Sequence, residues 1–207
     1  MSHVPATIMT TMRSAVITGK INGAGSTRVF QVLFFVAPFE KKEFIMDYHI
    51  RPLEKRDYTL LPDFLYETIY VPKGRKKPSK KILNMPELRL YTHGFGQKAS
   101  DFGFAAEWKH HVIGTVWARI MKDYSHINKE IPSLVLSISA SHRGKGLGTR
   151  LLTKLMKEAK LIGYPALSLS VQVSNPARFL YKKLGFESLT VVKGETEEEI
   201  VMVKEFS

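Results

Sequence analysis

The sequence predicts an α/β fold, and three observations carry the prediction. Two stretches, "SLVLSIS" at residues 133–139 and "ALSLSVQV" at 166–173, alternate apolar and polar side chains with the period of half-buried strands. Between them Leu151, Leu152, Leu155, Met156 and Ala159 recur at three- and four-residue spacing with lysines opposite, which is the stripe of an amphipathic helix over residues 147–162. A strand, helix and strand in that order imply parallel pairing through a right-handed crossover. With 207 residues and no internal repeat, the chain suits one core with an appendage.

Taken in order, residues 1–45 stand apart. The first 39 residues contain no acid, several serines and threonines, and the cations Arg13, Lys20 and Arg28, a composition resembling an organellar transit peptide. Met46 opens "MDYHIRPLEKRDY", which reads like a natural start followed at once by a strand. Residues 1–45 are therefore expected to be an N-terminal extension, disordered or outside the native protein. A transit peptide and a structural element are the alternatives. Residues 46–207 hold the functional domain.

Residues 48–53 alternate as a strand that Arg51-Pro52 ends. Residues 54–71 are charged at their start and then apolar at helical spacing, with Leu61, Leu65 and Ile69 on a face and Pro62 in a first turn. The stretch "KGRKKPSKK" at 73–81 is a cationic loop, followed by a short helix near 82–90 and a glycine-rich connection. Residues 102–108 and 112–121 form a hairpin that turns at 109–111. Gly163 stops the long helix. Asn175-Pro176 start a short helix whose Phe179, Leu180 and Leu184 face inward, and Gly185 ends it. The chain closes as two strands joined by an acidic turn at 195–199.

Composition narrows the function. There is no cysteine, so disulfides, thiolate zinc sites and cysteine nucleophiles are excluded, and a reducing, cytoplasmic location is the expectation. No run reaches the roughly 18 apolar residues of a membrane span. The formal charge of +12 suggests an anionic partner. Nucleic acid is not expected, because the basic loop lacks interleaved aromatics. No metal is expected either: His110, His111 and His126 lack the i, i+4 spacing of a helical metal pair. Ser139, Ser141 and His142 lie in no G-x-S-x-G elbow, which argues against a hydrolase.

The segment "SHRGKGLGTRLL" at 141–152 places Gly144, Gly146 and Gly148 at alternate positions ahead of the long helix. Glycine in a first turn costs about 0.5–1 kcal/mol relative to alanine, so something must approach the backbone closely there. A helix N-terminus behind side-chain-free residues suits a phosphate. The Walker pattern fails because Gly146 follows Lys145. The dinucleotide fingerprint fails because Pro165 and Ala166 stand where its acidic partner belongs.

"HRGKGLGTRLL" resembles the acetyl-CoA pyrophosphate loop of the GNAT superfamily of N-acetyltransferases, and "NPARFLYKKLGFE" at 175–187 is similar to a second motif of that family. The resemblance covers residues 48–206. It implies the acyl-CoA N-acyltransferase fold, a mixed, splayed central sheet of about six to seven strands with flanking helices. It also implies acetyl transfer from acetyl-CoA to a primary amine of a small molecule or peptide; a catalytically silent CoA-binding sensor of the same fold is the alternative. A homodimer is a further expectation, since many relatives are dimers.

By the same resemblance, the pantetheine arm would pair with the edge of the 133–139 strand near Leu136, Ile138 and Ala140, as strand addition. Arg143, Gly144, Lys145, Gly146, Leu147 and Gly148 would give backbone N–H groups to the diphosphate, with Lys145 or Arg150 adding charge. Asn175 would contact the pantetheine or ribose side, and Tyr181 stands at the family's general-acid position. Members with a glutamate base on the fifth strand carry it where this chain has Ser170, and serine is no base at neutral pH. Glu107, Asp101 or a held water are the alternatives.

Overall fold

The computed structural model describes residues 14–23, 26–35, 48–72, 74–194 and 197–206. The chain divides into two units, Met1–Ile45 and Met46–Ser207. In the first, β1 (Ser14–Gly23) pairs antiparallel with β2 (Ser26–Phe35), from Ser14 opposite Phe35 to Gly23 opposite Ser26.

The second unit is built on a seven-stranded sheet. Its strands are β3 (His49–Pro52), β4 (Phe102–Trp108), β5 (His111–Arg119), β6 (Ser133–Ile138), β7 (Ala166–Gln172), β8 (Glu187–Lys193) and β9 (Glu198–Glu205), in the order β3-β4-β5-β6-β7-β9-β8. Every neighbouring pair is antiparallel except β6 and β7. These two are parallel and meet only at Ser133 opposite Ser168, after which they part. The sheet is thus mixed and open in the middle.

Strand alternation sends side chains to two cores. Leu134, Leu167 and Leu169 pack with Leu151, Leu152 and Leu155 of α3 (Leu147–Ile162) and with Tyr181 of α4 (Ala177–Lys183). Val135 and Trp117 point the other way, to Leu61, Phe64 and Leu65 of α1 (Leu61–Thr68) and to Phe95. Trp117 also donates its indole N–H to the Tyr91 carbonyl at 2.9 Å, beyond the short α2 (Pro86–Arg89).

A 3-10 turn covers Lys55–Leu60 and α1 begins at Leu61, with Pro62 in its first turn as the sequence predicts. A helix running from 54 would hold Pro62 in its interior, where the missing N–H and the ring clash cost about 3 kcal/mol; a restart puts Pro62 in a first turn. One sequence reading is corrected: Phe179 does not face inward. The buried stripe of α4 is Ala177, Leu180, Tyr181 and Leu184, which leaves Phe179 60% exposed under the Arg178 guanidinium.

The hairpin between β4 and β5 turns through Lys109 and His110, both with positive φ (49° and 63°), as a type I′ turn requires. Beside it, Arg51 on β3 clamps two carboxylates. Its guanidinium donates to Asp57 at 2.6 and 3.0 Å and to Glu107 at 2.6 and 2.9 Å. Asp57 also accepts from the Glu54 amide at 2.8 Å. Arg51 holds the Glu107 carboxyl below the ordinary range. Burial pushes Asp57 up, but the bonds from Arg51 and Glu54 outweigh it and bring it down as well.

Arg51→Met strands the buried Asp57 charge and is expected to cost about 3–5 kcal/mol, read from the urea midpoint. Both carboxyls are depressed in the folded state. Their stabilisation is therefore complete above the unfolded pKa of about 4 and is lost as pH falls through the folded values. The parent should lose stability below about pH 4 more steeply than the variant.

Candidate active site

The gap between β6 and β7 is a place for a ligand to complete the sheet. Main-chain groups alternate sides along a strand. Ser139 N donates to Ile113 O on β5, and Pro132 O accepts from Ser168 N on β7. That parity turns the main-chain groups of Leu134, Leu136 and Ile138 toward β7, where the bridge takes up Leu134 and the gap opens before Leu136 and Ile138. Leu136 and Ile138 are half-buried there, and Ala140 is exposed in the 3-10 turn Ala140–His142 that follows. The Ile138 carbonyl accepts from Arg143 Nε at 2.8 Å, while Arg143 Nη2 reaches the Glu67 carbonyl at 3.2 Å.

The loop from Arg143 to Gly148 leads into α3. Gly144 and Gly146 have φ of +72° and +76°, and a Cβ built on either would meet no protein atom within 4 Å. The space in front of them is open, and L side chains are strained in that backbone conformation. Gly146 is the N-cap of α3 with no side-chain cap, so the first amides of the helix, those of Leu147 and Gly148 among them, lack intrahelical acceptors. Gly148 serves packing: a Cβ there would lie 3.0 Å from Leu180 and 3.4 Å from Ile138. Lys145 Nζ donates to the Ser141 carbonyl at 2.8 Å, and Arg150 donates to the Tyr48 carbonyl at 2.9 Å.

Asn175 Oδ1 accepts from the Ala177 amide at 2.9 Å at the start of α4. Tyr181 is buried on that helix, 6.0 Å edge-to-face from Phe186, and burial pushes its hydroxyl up to about 12. His142 is buried between Tyr48 and Trp108 with Nδ1 3.2 Å from the Tyr48 hydroxyl, a packed histidine.

Neither carboxylate named as a candidate base stands free. Glu107 is held by Arg51. Asp101 is buried against Arg119 at 3.1 Å and accepts from the Gly96 amide at 2.8 Å. The cationic loop is tied to α1: Lys77 reaches Glu67 at 3.3 Å and Lys80 reaches Asp63 at 2.7 Å, both over the Tyr66 ring. Among the described residues there is no cluster of metal-ligating side chains, and no helix is long and apolar enough to cross a membrane.

Sequence reading missed Glu199. The register puts it opposite Gln172, two residues along from the Val201 that faces Ser170, which makes Glu199 and Ser170 diagonal neighbours on one face. Its one signal in the sequence is an apolar alternation that begins at Ile200.

Residues 65–186 match the model of the acetyltransferase (GNAT) family. An N-alpha-acetyltransferase of Saccharolobus solfataricus is 36% identical over 125 residues, covering 54% of this chain and 73% of the relative. One of Sulfurisphaera tokodaii is 38% identical over 100 residues, 44% of this chain and 59% of the relative. Among solved structures, the ribosomal-protein-S18-alanine N-acetyltransferase of Escherichia coli shares the fold with a TM-score of 0.55 at 21% identity, over 77% of this chain and 94% of that one. The Salmonella typhimurium protein yncA, solved with its cofactor acetyl-CoA, has a TM-score of 0.56 at 20% identity, over 77% and 94%.

Proposed function

Since the chain belongs to the acetyltransferase (GNAT) family, we propose that it moves the acetyl group of acetyl-CoA to the α-amine at the N-terminus of a peptide or protein. Acetyl transfer follows from the family; the acceptor is the proposal. The observation that carries it is the 36% identity to an N-alpha-acetyltransferase over 73% of that relative's length.

The residues present fit acetyl-CoA. The open space before Gly144 and Gly146 and the uncapped amides of α3 suit a diphosphate. Coenzyme A carries about four negative charges near neutral pH, which the chain's +12 balance favours. The gap-facing amides of Leu136 and Ile138 offer the pantetheine a strand to pair with, provided Arg143 yields the Ile138 carbonyl. Arg143, Lys145 and Asn175 line this same path. When bound, the group supplies an acetyl thioester.

The chain's own residues then manage protons. An α-amine with a pKa near 8 costs only about 1 kcal/mol to deprotonate at pH 7, against roughly 4–5 kcal/mol for a lysine, so a carboxylate base suffices. Tyr181, protonated across the working range, donates toward the departing sulfur; with a thiol of about 8.5 as acceptor, the donation counts most in the transition state.

Peptides with free N-termini, tested against the same peptides blocked at the N-terminus but bearing lysine, and against small polyamines, should separate the acceptors. Mass spectrometry is expected to place the new 42-dalton group on the α-amine. Modification of lysine or polyamine alone would overturn the acceptor, and acetyl-CoA binding with no transfer to any amine would favour the silent sensor.

A further inference from the structure

We infer that Glu199 is the general base of this transfer, reaching the acceptor nitrogen from β9 across the face of Ser170. The inference deepens the function proposed above and rests on it.

Three features place the carboxylate. Ser133 and Ser168 form the only pairing between β6 and β7, so residue 170 is the next on its face once the strands have parted. Leu167, Leu169 and Val171 point to the α3 and α4 core, which puts Ser168, Ser170 and Gln172 on the opposite face. Glu199 is the cross-strand partner of Gln172 and shares that face, while its neighbour Ile200 enters the core. Glu199 therefore stands one strand beyond the gap, diagonal to Ser170 on the side away from α3, with Oε1 3.2 Å from where a Cβ of Gly194 would lie.

The other carboxylates of this region are engaged. Asp123 accepts from Ser125 and Ser133, each at 2.8 Å, and has the Tyr91 hydroxyl within reach. Glu197 accepts from the Ser174 hydroxyl at 2.7 Å. Glu107 and Asp101 are held by arginines. Glu199 has neither an arginine nor more than one hydroxyl acting on it: Ser170 alone lowers its carboxyl, and among the described residues no cation acts on it. The groups that face it are Ser170 from β7, Asp123 from the segment after β5, Tyr91 from the turn after α2, and Glu197 from its own end of the hairpin. Burial pushes its carboxyl up, Asp123 and Glu197 add to the rise, and Ser170 holds it back. A carboxylate that shares its surroundings with other acids and lacks a counter-ion is fit to take a proton.

The protons balance as follows. Glu199 takes one proton from the acceptor ammonium and releases it to water. The freed nitrogen pair forms the C–N bond to the acetyl carbon, and the C–S bond breaks with its pair on sulfur. Tyr181 gives sulfur a proton and is restored by the second proton leaving nitrogen, so one proton reaches solvent per turnover.

The test uses the whole chain with acetyl-CoA and an acceptor peptide that the parent acetylates. Parent turnover establishes the underlying reaction independently of Glu199. Glu199→Gln should lower kcat about 100-fold and leave acetyl-CoA affinity within twofold by calorimetry. The part of the acid limb of the parent's pH–rate profile that reports loss of the carboxyl proton should vanish in the variant, leaving only the rise set by the acceptor amine at about pH 8. Adding Ser170→Glu to Glu199→Gln moves a carboxylate one strand over and should recover at least tenfold of the lost rate. A Glu199→Gln variant within twofold of the parent, or one whose acid limb persists unchanged, overturns the inference. If that variant does not fold, Glu199→Asp decides: a loss of kcat with the acid limb displaced supports the role, and an unaltered profile refutes it.

Discussion

A Tyr181→Phe variant is expected to turn over at least tenfold more slowly than the parent while binding acetyl-CoA within twofold of it. The ring contributes to the core between β7 and α3 and to the edge-to-face contact with Phe186, both of which phenylalanine keeps. Only the hydroxyl is lost. Burial holds that hydroxyl protonated up to about 12, so it remains a donor wherever the protein is folded. The effect should therefore be in kcat, with no new limb in the pH–rate profile at neutral pH. Steady-state kinetics beside calorimetry would read it, and an unchanged kcat removes Tyr181 from the chemistry.

Gly146→Val should weaken acetyl-CoA binding at least 100-fold, equivalent to about 2.7 kcal/mol. A β-branched residue at φ +76° is strained by roughly 1–2 kcal/mol, and its methyl groups would fill the space proposed for the diphosphate. Gly163→Val separates the two effects. Gly163 at the other end of α3 has φ +97° and equally open surroundings, so it carries the strain without the ligand. Both variants should lose stability in denaturant, and only Gly146→Val should lose affinity. Equal affinities would remove the diphosphate from this loop.

Much of the fold was legible because local periodicity records which side of an element is buried. The strands at 133–138 and 166–172 and the helix at 147–162 were readable on that ground alone. What spacing cannot record is register. Nothing in "SLVLSIS" or "ALSLSVQV" says that the two strands share one pair and then separate. The turn at Lys109 and His110 was readable as a turn, but its left-handed backbone carries no glycine to announce it. Glu199 was hidden for a related reason. In "ETEEEI" it reads as one acid among several in a solvated turn, and only the pairing of β9 with β7 carries it to Ser170. Arg51 likewise meets Glu107 across 56 residues, a contact no local pattern encodes.

The parting of β6 and β7 has a thermodynamic consequence. A sheet interrupted in its middle leaves main-chain groups of Leu136 and Ile138 to be satisfied by solvent, by Arg143, or by a diffusible molecule. On the proposed reading, that molecule behaves as a removable eighth strand, and the protein's resistance to unfolding becomes a logarithmic function of its concentration. The metabolic supply of acetyl groups would then govern how long the catalyst survives as well as how fast it works.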